Sequence, residues 1–198
     1  MVACPDLSRR DRLALQGTVD AVAALLTEVL PEVGPTFRPL GDEDLITAVA
    51  DRLPGLELVG RFGWMETKDP IHGGTGHWLT DTKAVGDLLE AAFPESYAWP
   101  GDAGVQRWAG IRDEERLLAV AAEAWPVPGI GFLAGVATHP QARGRGLAAR
   151  LCAFVTDELL RDNERVALFV DYWNEAALRT YRRLGFTLRP LGAAAQTR

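Results

Sequence analysis

Apolar residues recur along the chain at intervals that define a series of elements. Leu15, Val19, Val22, Leu26 and Val29 repeat every three to four residues, the period of one helix face. Ser8 stands ahead of them as a cap, and Pro31 is expected to end the helix. From 31 to 39 the chain carries three prolines and a glycine and reads as a connection. A second helix is predicted from Asp42, with Leu45, Ile46, Val49 and Leu53 on one face and Pro54-Gly55 as its stop. Residues 56–65 read as a pair of strands. In the run His72-Gly73-Gly74-Thr75-Gly76-His77, three glycines in six positions disfavour both helix and strand. The run is read as a flexible linker.

Beyond that run the elements alternate. A short strand at 77–79 precedes a helix at 81–93, with Val85, Leu88, Leu89 and Phe93 inward. Strands at 106–112 and 116–124 flank the charged turn Asp113-Glu114-Glu115. An apolar strand at 129–138 leads to a helix at 144–161, where Leu147, Leu151, Val155 and Leu159 recur every four residues. Residues 166–170 are unbroken apolar and predict a strand covered on both faces. A short helix at 174–184 closes on Gly185, and a last strand begins at 186–189. This order predicts an α/β fold with a mixed, mostly antiparallel central sheet flanked by helices. Residues 1–75 form an N-terminal extension of helices and strands, and 76–198 the main domain.

Composition narrows the function. The chain has 198 residues, 47% hydrophobic and 24% charged, enough for one medium α/β domain with a packed core. No apolar run reaches about 18 residues, so no membrane span is expected. The first residues lack a basic start followed by an apolar run, so no secretory leader is expected. A net charge of −6 lacks the basic footprint of a nucleic-acid binder and tolerates cationic substrates. Cys4 and Cys152 do not make a disulfide framework and suit a reducing compartment, so a cytoplasmic location is expected.

The segment from Gly135 to Ala149 carries the chemistry. A strand ends, a proline turn follows at Pro140, and Gly144, Gly146, Ala148 and Ala149 open a helix. Such a terminus presents unpaired N–H groups and partial positive charge, and small residues let a phosphate reach them. Arg143 and Arg145 add charge beside it. Two readings stand on spacing alone, a diphosphate site and a plain tight turn. The Walker pattern and the three-glycine dinucleotide fingerprint are both absent.

Arg143, Gly146 and Ala148 resemble the acetyl-coenzyme A motif of the GNAT acetyltransferases, with Gln141, Gly144 and Gly146 as an overlapping register. The run from Asn174 through Tyr181 to Leu184-Gly185-Phe186 resembles a second GNAT signature. The resemblance covers about 76–190. It implies a GNAT-like fold and transfer of an acetyl group from acetyl-CoA to a primary amine by direct attack in a ternary complex. Main-chain groups of Val136, Ala137 and Thr138 would pair with the pantetheine arm. The diphosphate would lie on Arg143, Gly144, Arg145, Gly146, Leu147, Ala148 and Ala149. Asn174 would bond the cofactor, and Tyr181 would protonate the departing thiolate as catalytic acid. Asn174 also suits a helix cap, and Tyr181 a core position.

The general base is the weak point of the pattern. Neither 129–137 nor 166–170 holds an acid; Glu123 and then Asp171 are the candidates. No metal is expected: His72 and His77 lack further ligands, and His139 reads as a turn residue. Most of the six tryptophans read as core or rim, with Trp99 or Trp125 as candidates to wall an acceptor pocket. The acceptor is a small-molecule or peptide amine; neither nucleic acid nor membrane is expected as partner. The segment 1–75 would serve as a lid or as the contact of a homodimer. The rival readings are a non-catalytic acyl-CoA-binding regulatory protein of the same fold and an interaction protein working through its N-terminal helices.

Overall fold

In the computed structural model, which describes residues 1–7, 9–114 and 116–197, the first apolar repeat builds helix α1 (Val19–Val33). Ser8, read as its cap, and Glu115, in the charged turn, lie outside the described residues. The cap is Thr18, whose hydroxyl accepts from Ala21 N–H at 3.4 Å. Leu15 sits ahead of the helix and donates its N–H to Leu40 C=O at 2.8 Å. The chain therefore opens on two short strands, β1 (Val2–Cys4) and β2 (Arg12–Ala14), and not on a helix. Leu15 shares the helical spacing because it packs into the same core as Val22, Leu26 and Leu30 from a different element. Pro31 lies inside α1, which runs on to Gly34. Burial of Leu30 and packing of Val33 hold that last turn against the missing proline N–H.

The residues fall into two compact units. The first comprises Met1–Trp64, Val170–Asn174 and Leu188–Arg198. Here β1 pairs antiparallel with β2, β2 parallel with β3 (Arg38–Asp42), and β3 antiparallel with β10 (Thr187–Gln196). Helix α2 (Glu43–Arg52) starts on Asp42, as predicted, and buries Ile46 and Val49 beside α1. Residues 56–65 form one strand, β4 (Leu56–Thr67), and not a pair. The glycine at 63 marks crowding and not a turn: a methyl there would collide with Leu188.

The second unit comprises Met65–Phe169 and Glu175–Thr187. Strands β5 (His77–Trp78), β6 (Val105–Asp113), β7 (Arg116–Ala124) and β8 (Ile130–Thr138) pair antiparallel in that order, and β9 (Arg165–Asp171) joins β8 in parallel. Helix α3 (Lys83–Ala92) buries Val85, Leu88 and Leu89 against Trp108, Val120 and Ala122. Helix α4 (Leu147–Leu159) packs on β6, β7 and β8, with Gly131 leaving room for Leu159. It begins three residues later than its apolar spacing predicts. Helix α5 (Glu175–Arg183) follows β9. Each unit thus carries a mixed, mostly antiparallel sheet with helices, the fold class read from the sequence.

The glycine run is no linker. Ile71 and His72 donate their N–H groups to the two carboxylate oxygens of Asp157, at 2.7 and 3.0 Å, and Thr75 N–H reaches Arg150 C=O at 3.0 Å. A methyl at Gly74 would strike the backbone of Phe154. The glycines let this segment lie flat along α4 as a strap.

Candidate active site

Strand β8 is paired on both sides only along its first part. With β9 the register runs from Ile130↔Arg165 to Phe132↔Ala167, yet β8 continues to Thr138 and β9 to Asp171. From Leu133 onward the β9-facing edge of β8 therefore offers main-chain donors and acceptors without a strand partner among the described residues. On the other edge, Val120↔Ala137 is followed by Ala122↔Ala134, so Gly135 and Val136 together face Ala121. This is a β-bulge, which re-aims the backbone locally. Gly135 has φ 59°, and the Trp108 ring occupies the space a methyl would take, so both conformation and room demand glycine there. Val136, Ala137 and Thr138 all lie at this end of β8.

The chain then turns through a 3₁₀ segment (Pro140–Ala142), capped by the His139 ring, which accepts Gln141 N–H at 3.2 Å. Arg143 is committed to backbone carbonyls: its guanidinium donates to Ala92 O at 2.9 Å and Thr138 O at 3.3 Å. It ties the turn to the end of α3. Gly144 and Gly146 have φ of 76° and 72°, and a methyl on either would meet nothing within 4 Å. They are glycines for left-handed backbone and open space, not for tight packing. Arg145 is exposed between them. Buried Leu147 fixes the start of α4, and the bond from Arg150 N–H to Gly146 C=O spans 3.1 Å. The amides ahead of Arg150 have no intrahelical acceptor and lie at the positive end of the helix dipole. Seven of the residues read from the sequence, Arg143 to Ala149, are thereby gathered at one helix start.

Tyr181 is 7% exposed, packs against Phe186 with the ring centroids 5.8 Å apart and the planes tilted by 55°, and has the Cys152 thiol of α4 as its hydrogen-bond partner. Burial, with Cys152 beside it, holds its phenol well above the ordinary value, so it stays protonated. Burial likewise pushes the Cys152 thiol up to about 12. Asn174 belongs to the first unit, where its N–H donates to Asp171 C=O at 3.0 Å directly ahead of α5.

The candidate bases differ in setting. Glu123 is ion-paired to Arg107 at 2.6 Å. The Arg107 guanidinium lies 3.7 Å over the Trp78 ring, whose N–H donates to Glu158 at 3.3 Å. These contacts link Glu123 to α4. Asp171 is half-buried at the end of β9, and burial raises its carboxyl above the usual carboxylate range. In the same unit the Tyr172 hydroxyl donates to Glu43 at 3.1 Å, and Arg61 pairs with the same carboxylate at 3.1 Å. Burial and the Glu43 charge push the Tyr172 phenol to about 12. Sequence reasoning missed this trio, because Glu43 and Tyr172 lie 129 residues apart and carry no motif. Among the described residues no group of three or more His, Cys, Asp or Glu could hold a metal ion.

A sequence model of the Acetyltransferase (GNAT) family matches residues 76–186. The mycothiol acetyltransferase of Rhodococcus jostii (strain RHA1) is 38% identical over 104 residues, which are 49% of this chain and 34% of that protein. The same enzyme from Rhodococcus opacus (strain B4) gives the same figures. The chain thus spans about a third (34%) of the length of the curated relatives it matches. Among solved structures, a GCN5-related N-acetyltransferase from Kribbella flavida superposes with a TM-score of 0.65 at 19% identity, over 94% of this chain and 81% of that one. A GNAT-family acetyltransferase from Colwellia psychrerythraea gives 0.64 at 13% identity, over 91% and 72%. At these identities the structures speak for the fold alone.

Proposed function

Because this chain belongs to the GNAT acetyltransferase family, we propose that it binds acetyl-coenzyme A along the free edge of β8 and transfers the acetyl group to a primary amine. The observation that carries this reading is the unpaired stretch of β8 running into two left-handed glycines and a helix start. An extended pantetheine amide chain adds to such an edge as a strand would. The open space over Gly144 and Gly146 fits a diphosphate, which the amides ahead of Arg150 would hold. The thioester supplies an activated acyl carbon. The chain's own residues then position and move protons.

A main-chain N–H of β8 would polarise the thioester carbonyl, as oxyanion-hole donors do, and the bulge at Gly135-Val136 is where the strand's backbone is re-aimed. Asn174 would bond the coenzyme, a role carried by the family resemblance. Tyr181, kept protonated by burial, would act as acid toward the leaving thiolate. An alkylammonium acceptor has a pKa of about 10.4 and must first lose a proton. Glu123, on β7 in the same unit as β8, is the candidate for that task, held in place by its ion pair with Arg107. The acceptor is a small-molecule or peptide amine. The Rhodococcus relatives are named for mycothiol, so an amine that also carries a thiol belongs in the first panel tried. Free thiols at Cys4 and Cys152 suit the cytoplasm, where acetyl-CoA is made.

Calorimetry with coenzyme A, followed by thiol release from acetyl-CoA across an amine panel, tests the reading. Binding with amine-dependent release supports it; absence of binding overturns it. The burial of Tyr181 against Cys152 favours one rival, a non-catalytic acyl-CoA-binding protein of the same fold. Tight binding with no release for any amine would select that rival.

A further inference from the structure

Trp125 follows directly on β7 in a left-handed conformation, φ 44°, which a bulky side chain rarely adopts. Three contacts hold it there. Its N–H donates to Gly104 C=O at 2.7 Å, its indole N–H donates to Ala103 C=O at 3.2 Å, and its ring fills the space a methyl on Gly104 would take. Gly104 is itself left-handed, φ 81°. The loop beneath is tied as well: the Trp99 indole donates to Ser96 C=O at 2.8 Å, and Asp102 N–H to Trp99 C=O at 3.1 Å. Strain held in place by so many contacts points to a task for the ring itself.

The ring stands in an aromatic row. Trp125 meets Phe132 of β8 edge-on with centroids 6.0 Å apart, and Phe132 meets Phe169 of β9 edge-on at 5.1 Å. Phe132 is buried, whereas Trp125, Phe169 and Ala134 are half-buried. Phe132 and Ala134 share one face of β8, and Phe169 shares a face of β9 with Ala167, two residues before it. Phe132↔Ala167 is the last pair before β8 and β9 part. The three rings therefore line the inner end of the fork between the strands, with part of their surface open.

The glycine loop follows the other end of β8, beyond Thr138. A coenzyme laid along the free edge with its diphosphate at Gly144 and Gly146 carries its thioester toward Leu133, beside these rings. We infer that the wall of Trp125, Phe132 and Phe169 receives the body of the acceptor, so that the preferred acceptors are primary amines borne on an aromatic ring or a bulky hydrocarbon. The wall offers flat apolar area, and its one N–H is already bonded to Ala103, so it has no polar group for a hydroxylated or charged body. The inference rests on the acetyl-transfer reading above and deepens it by naming the acceptor class and the residue that sets it, Trp125.

The test is acetyl transfer from acetyl-CoA by the whole protein to 2-phenylethylamine and to ethylamine, compared as kcat/KM. The aryl amine should be used at least about tenfold better, with the difference in KM. Asn accepts left-handed backbone, so Trp125→Asn removes the ring without adding strain. In that variant the two amines should become equivalent, while coenzyme A affinity, read by calorimetry, stays at the wild-type value and reports the fold. Phe169→Leu keeps apolar volume and leaves the β7–β8 hairpin alone; it should cut the preference about threefold. Equal use of the two amines by the wild type, or a preference undiminished in whichever variant binds coenzyme A, overturns the acceptor assignment while the coenzyme reading stands. Loss of coenzyme A affinity in both variants assigns the rings to the fold and overturns it too. Failure of the wild type to acetylate any amine overturns the acetyl-transfer reading and this inference together.

Discussion

At the scale of the residue, two buried protons carry the sharpest consequences. Tyr181→Phe keeps the ring against Phe186 and removes only the hydroxyl that meets Cys152. If the phenol serves as acid, kcat should fall by about a hundredfold with coenzyme A affinity unchanged. Steady-state kinetics beside calorimetry separate this from a packing role, which would leave kcat alone. The thiol of Cys152 has its own signature. Burial raises it from 9.0 to about 12, so the folded chain holds this proton more tightly than the unfolded one. Tyr181 shifts in the same direction. The stability due to Cys152 is full below pH 9.0 and is lost as pH climbs toward about 12. Melting temperatures measured from pH 8 upward should fall less steeply in Cys152→Ala than in the wild type. The motif showed Tyr181 but not its partner. Cys152 lies 29 positions earlier, on another helix, and only the tertiary fold brings the two side chains together.

At the scale of the element, the glycines separate into kinds the sequence does not distinguish. Gly146 needs left-handed backbone yet has open space around it, whereas Gly74 lies against the backbone of α4. Gly146→Ala should cost about 1–2 kcal/mol, the price of the left-handed conformation, and weaken coenzyme A binding. Gly74→Ala should cost about 3 kcal/mol through overpacking and leave the helix start intact. Urea denaturation of both variants, with coenzyme A titration of the folded protein, checks the contrast. The helix periods of α2, α3 and α4 were legible because their apolar faces pack on a single partner layer. The start of α1 was not, since Leu15 joins the same core from outside the helix and extends its period by coincidence of spacing. The bulge at Gly135-Val136 left no trace in the pattern either, as small residues there give no alternation to break.

At the scale of the whole molecule, the chain does not divide where its composition changes. The first compact unit draws on the C-terminus: β10 pairs with β3 through Leu191↔Asp42, Gly192↔Gly41 and Ala193↔Leu40. A protein trimmed to 76–198 matches the family's span but leaves β10 without this neighbour. Its Ala193 and Ala194, buried in the full chain, would be exposed. Size-exclusion chromatography should show it aggregated or poorly folded, whereas a soluble monomer with native circular dichroism would show that the first unit is dispensable. The family was readable from two short motifs because they lie on local turns and helix starts. The unit boundaries were not, because they rest on strand pairing between residues about 150 positions apart.

The early parting of β8 from β9 also bears on how the protein behaves at high concentration. A strand edge that has no partner strand among the described residues is a template for a neighbouring polypeptide. Concentrated, coenzyme-free protein is therefore expected to self-associate slowly through that edge, and saturating coenzyme A to suppress it, as light scattering over days would register. If the proposed reading holds, shelf life and acetyl transfer would depend on the same few main-chain groups, with the coenzyme as preservative.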